Sequence, residues 1–337
     1  MLRRSVSLLA LTLALGACEK PMSWGDQHAI IVATSTDRWA EVEDIVEAAL
    51  EPEILTVRRE GKFRVSHQDP AGEDWIRLKR FRQMLTVGSQ NDPVVAEALA
   101  ESDESAFRPP QIVQVEDVWA RGQLVTVLLT RDGQEAADAE ILADSLQILL
   151  DTQYRQWTYN RMFQSGRDTA LADTLWRDHG FAVVVPEVYY WRRETDSIFI
   201  FRNDNPDPAE LIRQVTVSWK TPVPEEPATQ NDILAWRTEL SDNWFSYPQA
   251  IDLTLTQDRR LQLGDIEMNE LRAAWSNPPD DSFPAGGPFM IRWFECPAQD
   301  RLYLVDAWLY SPDPERSKYQ YLIQLETILN SFRCNQS

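Results

Sequence analysis

The chain has 337 residues, with 33 basic against 53 acidic side chains, a net charge of −20, and 43% hydrophobic residues that include 13 Trp. Nucleic acid and anionic lipid surfaces are poor partners for such a balance, because both repel it. The apolar supply is ample for a core, and the length suits two units of about 150 residues.

The first element is a leader. Arg3 and Arg4 precede an apolar run over residues 6–15 that closes on Leu15-Gly16-Ala17-Cys18. A run of roughly ten residues is half of what crosses a bilayer, whereas a short basic and apolar leader ending in small residues and cysteine suits a lipoprotein signal peptidase. Residues 1–17 are therefore expected to be a lipoprotein signal peptide. Cys18 is the expected lipid attachment, with residues 18–27 as a lipidated stem carrying several acyl chains, enough for stable anchoring. Processing leaves 337 − 17 = 320 residues and, without Arg3 and Arg4, a charge of −20 − 2 = −22. Glu19, in place of an aspartate at the second mature position, points to the periplasmic face of the outer membrane.

An N-terminal lobe follows over residues 28–166. A β-rich run at residues 28–34 leads into a helix capped by Thr36, with Trp39, Val42, Ile45, Val46 and Leu50 on its apolar side. Strands are expected at residues 54–58, 63–67 and 82–88, then a short helix at 93–100. A hairpin of residues 112–116 and 124–130 precedes a long helix over 134–164, where Leu142, Leu146, Leu149 and Trp157 form one stripe and Gly166 ends the helix. The C-terminal lobe, residues 167–337, opens with a helix at 168–178 stopped by Gly180. Strands follow at 181–185, 188–192 and 197–202. An insertion at about 221–285 holds a Pro-rich linker, a helix at 231–244 and strands near 251–256 and 267–274. A hairpin of 289–296 and 301–310 and a helix over 314–333 close the chain.

The two lobes share an order of elements. Residues 83–93 read like residues 197–207, a strand and polar turn before a short helix. Residues 117–152 align with 296–331 without a gap, pairing Leu124 with Tyr303, Leu146 with Leu325 and Leu150 with Leu329. The expected class is α+β: two similar lobes, consistent with a tandem duplication, each an antiparallel sheet flanked by helices. At the level of fold this arrangement resembles the sandwich of photosystem-II PsbP-like proteins.

Lipidation of Cys18 leaves Cys296 and Cys334, an even pair in an oxidising compartment, and a disulfide is the simplest account. The geometry agrees. The second hairpin strand runs about 33 Å away from the turn, and the last helix returns about 30 Å, which brings its end near Cys296.

Chemistry-bearing motifs are sparse. His28, His67 and His179 are far apart and not at metal-ligand spacing, so neither a metal nor a cofactor is implied. No Gly-x-Ser-x-Gly elbow, Ser-x-x-Lys or phosphate-cradling glycine loop occurs. The Asn203-Asp204-Asn205-Pro206-Asp207 turn lacks the central glycine and terminal glutamate of a calcium loop. Tyr189, Tyr190 and Trp191, with Phe199 and Phe201 on the following strand, form either core packing or an aromatic platform for a glycan or peptide.

The most individual stretch joins Glu270, Arg272 and Trp275 to Gly286-Gly287-Pro288-Phe289. Through these residues the chain resembles an uncharacterised bacterial lipoprotein family, domain of unknown function 4837, whose members pair Glu-x-Arg-Gly-x-Trp with Gly-Gly-Pro-Phe before a closing hairpin and helix. The stretch Phe63-Arg64-Val65-Ser66, the Phe81-Arg82 strand and Tyr310-Ser311-Pro312 also match. Ala273 stands where the family has glycine, which bears on whether that place needs a positive φ. The resemblance implies a lipoprotein address and a fold, and no activity.

The two glycines are expected to free positive φ before Pro288 fixes its own near −65°, making a tight lead-in to the hairpin. Glu270, Arg272, Trp275, Gly286, Gly287, Pro288 and Phe289 are either a structural staple or a binding surface beside that turn. The functional expectation is a non-catalytic lipoprotein that binds an envelope protein or a glycan. The alternative is an envelope hydrolase using a carboxylate dyad about 5 to 9 Å apart with one pKa raised.

Overall fold

The computed structural model describes residues 19–278 and 284–335. The leader and Cys18 lie outside the described residues. The α+β class is borne out by two compact units. Of the described residues, one comprises 19–43 together with 66–142, the other 44–65 together with those from 143 to 335. The division falls within two helices rather than at Gly166, because each of those helices continues from one unit into the other.

The first unit is drawn from β1 (Ala29–Ala33), α1 (Thr36–Leu50), β2 (Arg64–Gln68), α2 (Trp75–Leu78), β3 (Gln83–Gly88), α3 (Pro93–Leu99), β4 (Gln111–Glu116), β5 (Leu124–Leu129) and the start of α4 (Glu135–Met162). Its sheet has the order β2-β1-β3-β5-β4. Contrary to the expected antiparallel sheet, β1 runs parallel to β3 and β3 parallel to β5, and β4 and β5 form the antiparallel hairpin. The connections explain the difference: a parallel step needs a long crossover, which α1 and α3 help to supply. Val95, Ala98 and Leu99 of α3 pack with Ile31, Met84, Val125 and Val127 of the sheet.

The second unit continues with α5 (Thr169–His179), β6 (Phe181–Ala182), β7 (Tyr190–Thr195), β8 (Ile198–Asn203), β9 (Ile212–Lys220), α6 (Gln230–Trp244), β10 (Ala250–Leu263), β11 (Ile266–Ser276), β12 (Gly286–Cys296), β13 (Arg301–Tyr310), α7 (Lys318–Asn330) and β14 (Arg333–Cys334). Gly180 ends α5 at φ 79°, and Asp168 caps its start, its Oδ1 accepting from the Leu171 N–H at 2.9 Å. Seven strands form one antiparallel sheet in the order β10-β11-β12-β13-β9-β8-β7. The insertion thus lengthens the sheet by two strands. Strand alternation sends Met290, Phe294, Tyr303 and Val305 to the face covered by α5 and α7, and Phe289, Ile291, Leu304 and Trp308 to the face covered by α6.

The sheets do not repeat each other. β3 leads into α3, whereas β8 leads into β9. β5 has one parallel and one antiparallel neighbour, whereas β13 has antiparallel neighbours on both sides. Leu146, Leu150, Leu325 and Leu329 are all buried. The gapless match is therefore the apolar spacing common to strand–helix pairs, and the duplication is not carried through the topology. The strand expected at residues 54–58 is absent; among described residues that region offers an isolated bridge between Glu53 and Gly61.

Candidate functional site

Alternation along β11 separates the residues that the sequence placed on one surface. Glu270 and Arg272 face α7, whereas Leu271, Ala273 and Trp275 face α6. Ala273 sits fully buried in extended pairing with Phe289, so no positive φ is needed there. Gly286 and Gly287 are not at positive φ either, which corrects their reading as a tight turn. They open β12 opposite Ser276 and Trp275. Their role is close approach: a Cβ on Gly287 would lie 1.8 Å from the Leu309 carbonyl oxygen, and one on Gly286 2.8 Å from that of Trp275.

Trp275 is buried, not displayed. Its indole N–H donates to the Leu309 carbonyl at 3.2 Å, and its ring meets Trp308 edge-on with centroids 5.4 Å apart. On the same face Arg237 places Nε 2.7 Å from Asp306 Oδ2, both side chains wholly buried. Burial pushes the Asp306 carboxyl up and the Arg237 guanidinium down, each opposed by its partner. Sequence reading gave no sign of this pair.

The other face carries the chemistry. Glu270 is 1% exposed and lies between Arg259 on β10 and Arg292 on β12, directly opposite both in the ladders. Its Oε1 accepts from Arg259 Nε at 2.8 Å and Arg272 Nε at 2.7 Å, and its Oε2 from Arg292 Nε at 2.7 Å. Glu326 of α7 takes the second layer. Its Oε1 accepts from Arg272 Nη2 at 2.6 Å and Arg259 Nη2 at 2.9 Å, and its Oε2 from Arg155 Nη1 at 2.9 Å. Arg155 also donates to Asp151 at 3.0 Å and to the Tyr319 hydroxyl at 3.1 Å, and that hydroxyl donates to Asp151. Lys62 Nζ stands 3.6 Å from Asp151 and 5.6 Å from the Tyr319 ring centroid.

Burial raises both glutamates, but the arginine charges and hydrogen bonds outweigh it. Arg272 and Arg292 hold Glu270 below its usual value, and Arg272 and Arg155 bring Glu326 down to about 2. Among the described residues of this cluster, Lys62, Arg155, Arg259, Arg272 and Arg292 are set against Asp151, Glu270 and Glu326, a surplus of 5 − 3 = 2 positive charges. A cavity of about 190 Å³ opens onto the cluster, walled by Lys62, Arg155, Arg272, Pro288, Tyr319 and Glu326, with Phe289 also at its edge. Glu53 lies at its lip, 3.5 Å from Arg59.

Of the expected residues, Arg272, Pro288 and Phe289 line this cavity, Glu270 supports it from below, and Trp275 belongs to the opposite face. Lys62, Arg155, Arg259 and Glu326 were missed, since their meeting depends on strand order and on α7 crossing the sheet.

Cys296 and Cys334 are joined in a disulfide with Cα atoms 6.7 Å apart. β14 pairs with β6, and the Asn335 N–H donates to the Gly180 carbonyl at 3.0 Å. Tyr189 is buried, and burial pushes its hydroxyl up to about 12. Tyr190 and Trp191, on edge strand β7, are 48% and 41% exposed. In the 203–207 turn, Asn203 Oδ1 accepts from the Asn205 N–H at 3.0 Å and Asp207 Oδ1 from the Ala209 N–H at 2.7 Å. Among the described residues the histidines stay apart: His67 stacks on Trp39 with centroids 5.2 Å apart, and His179 lies 4.6 Å from Phe199. No described helix is long and apolar enough to cross a membrane.

The second unit is thus an antiparallel sheet with helices on both faces and an arginine–carboxylate network buried beneath one of them. Residues 168–331 match the family described as "Domain of unknown function (DUF4837)", which bears out the resemblance over that span. No curated protein sequence matches the chain. Among solved structures, the Ran-binding protein Mog1p of Saccharomyces cerevisiae is 13% identical, with 46% of this chain and 90% of that one covered at a TM-score of 0.31. Cyanobacterial PsbP (CyanoP) from Synechocystis sp. PCC 6803 is 11% identical, with 46% and 87% covered at a TM-score of 0.29. At such scores neither likeness bears on function.

Proposed function

We propose that the chain is a lipid-anchored protein of the cell envelope, held through Cys18 at the periplasmic face of the outer membrane, that binds an envelope protein or a glycan without transforming it. The leader supports the address, and the Cys296–Cys334 disulfide suits an oxidising compartment. One observation carries the binding reading. Both glutamates of the cavity network, Glu270 and Glu326, are held by arginines below their usual range. A hydrolase built on these two carboxylates would need one of them raised so that it could give up a proton near neutral pH.

Two experiments test the reading. Crosslinking in cells followed by pull-down of the anchored protein is expected to enrich an envelope protein or glycan; recovery of the protein alone counts against it. Labelling with an alkyne-bearing palmitate is expected to tag the wild type and not Cys18→Ser, which should leave the membrane fraction. A variant that stays with the membranes overturns the anchor.

A further inference from the structure

We propose that the cavity against α7 takes a small oxyanion, a phosphate or a carboxylate group, held by Lys62 and Arg272. This rests on the binding reading and names the chemistry its ligand must present.

The donors divide cleanly. Arg155 is committed: Nε to Asp151, Nη1 to Glu326, Nη2 to the Tyr319 hydroxyl. It is a wall. Arg272 spends Nε on Glu270 and Nη2 on Glu326, which leaves Nη1 unspent on a side chain that lines the cavity and is 20% exposed. Lys62 also lines the cavity and is 20% exposed. Its Nζ is 3.6 Å from Asp151, beyond hydrogen-bond length, so its N–H groups remain available.

Charge points the same way. In a chain of net charge −20 the cavity wall sets Lys62, Arg155 and Arg272 against Glu53 and Glu326, one more cation than carboxylate. Uncompensated charge in a partly desolvated cavity is unfavourable, and an anion there meets it at reduced dielectric. Both flanking glutamates stay ionised at neutral pH and keep their arginine contacts, so an incoming anion is met by the donors they leave over, Arg272 Nη1 and Lys62 Nζ. The cavity of about 190 Å³ has room for a phosphate or a short carboxylic acid. A larger ligand would insert only its acidic group.

The test uses the full chain in detergent, titrated with inorganic phosphate and, separately, with succinate, against sodium chloride at equal ionic strength. One of the two is expected to bind saturably by calorimetry and to raise the melting temperature with the logarithm of its concentration. The arm that responds identifies the source. Lys62→Gln leaves the Glu270–Arg272–Glu326 contacts in place and is expected to weaken that binding at least tenfold, as is Arg272→Lys. Phosphate and succinate that bind no better than chloride overturn the inference, as does unchanged affinity in Lys62→Gln, which decides alone if Arg272→Lys does not fold. An envelope partner captured equally by the wild type and by Lys62→Gln would overturn this inference and leave the binding reading standing.

Discussion

Trp275 faces Gly287 across the β11–β12 ladder, and its indole N–H reaches the Leu309 carbonyl through space that a side chain on Gly287 would fill. The tryptophan and the glycine are thus a matched pair, one supplying bulk and the other its absence. Gly287→Ala is expected to destabilise the protein by roughly 3 kcal/mol or more, as overpacking against backbone does. Gly264→Ala, at φ 61° with open space around it, should cost only about 1 kcal/mol. Urea unfolding of the two variants checks the contrast; equal losses would show that close approach is not what Gly287 provides.

Glu270 accepts from three guanidiniums at once. Glu270→Leu should cost about 3 to 5 kcal/mol, because it strands buried charge rather than merely removing a contact. Pairing it with Arg292→Met should recover part of that loss. A double variant no more stable than the single one would indicate that Arg292 is held by other contacts.

Glu326 links stability to acid. Its folded pKa of about 2 lies below the ordinary 4.5, so its contribution is fully present above pH 4.5 and disappears as pH falls through 2. On linkage the effect is about 3 kcal/mol. Glu326→Gln should flatten the fall in melting temperature between those values, and an unchanged slope would assign acid sensitivity to other carboxylates.

The Cys296–Cys334 bridge closes a separation of 38 residues. Chain entropy gives it about 4 kcal/mol, so reduction or Cys334→Ser should lower the urea midpoint markedly. Two thiols that alkylate freely in the unreduced protein would contradict the bond.

How far the sequence could be read follows from the range of each signal. Gly180 after an apolar helical stripe marks the end of α5 to the residue. The i, i+2 spacing of Glu270 and Arg272 puts them on one face of a strand, and the structure pairs them. β9 went unseen although Val215, Val217 and Trp219 alternate, because the intervening Gln214, Thr216 and Ser218 look solvent-facing yet are buried toward Asp306 and Arg237. The cavity was not legible at all. Lys62, Arg155 and Glu326 meet only once strand order and helix crossings are set, and no local pattern encodes either. The parallel pairing of β1, β3 and β5 escaped for the same reason.

The short β14–β6 ladder brings residues 333–335 back to residues 180–182, with Cys334 beside Phe181 and Asn335 tied to Gly180. A segment whose two ends meet makes little demand on what flanks it. The chain on either side of that stretch can therefore enter and leave at one place, with no linker needed to span the sheet.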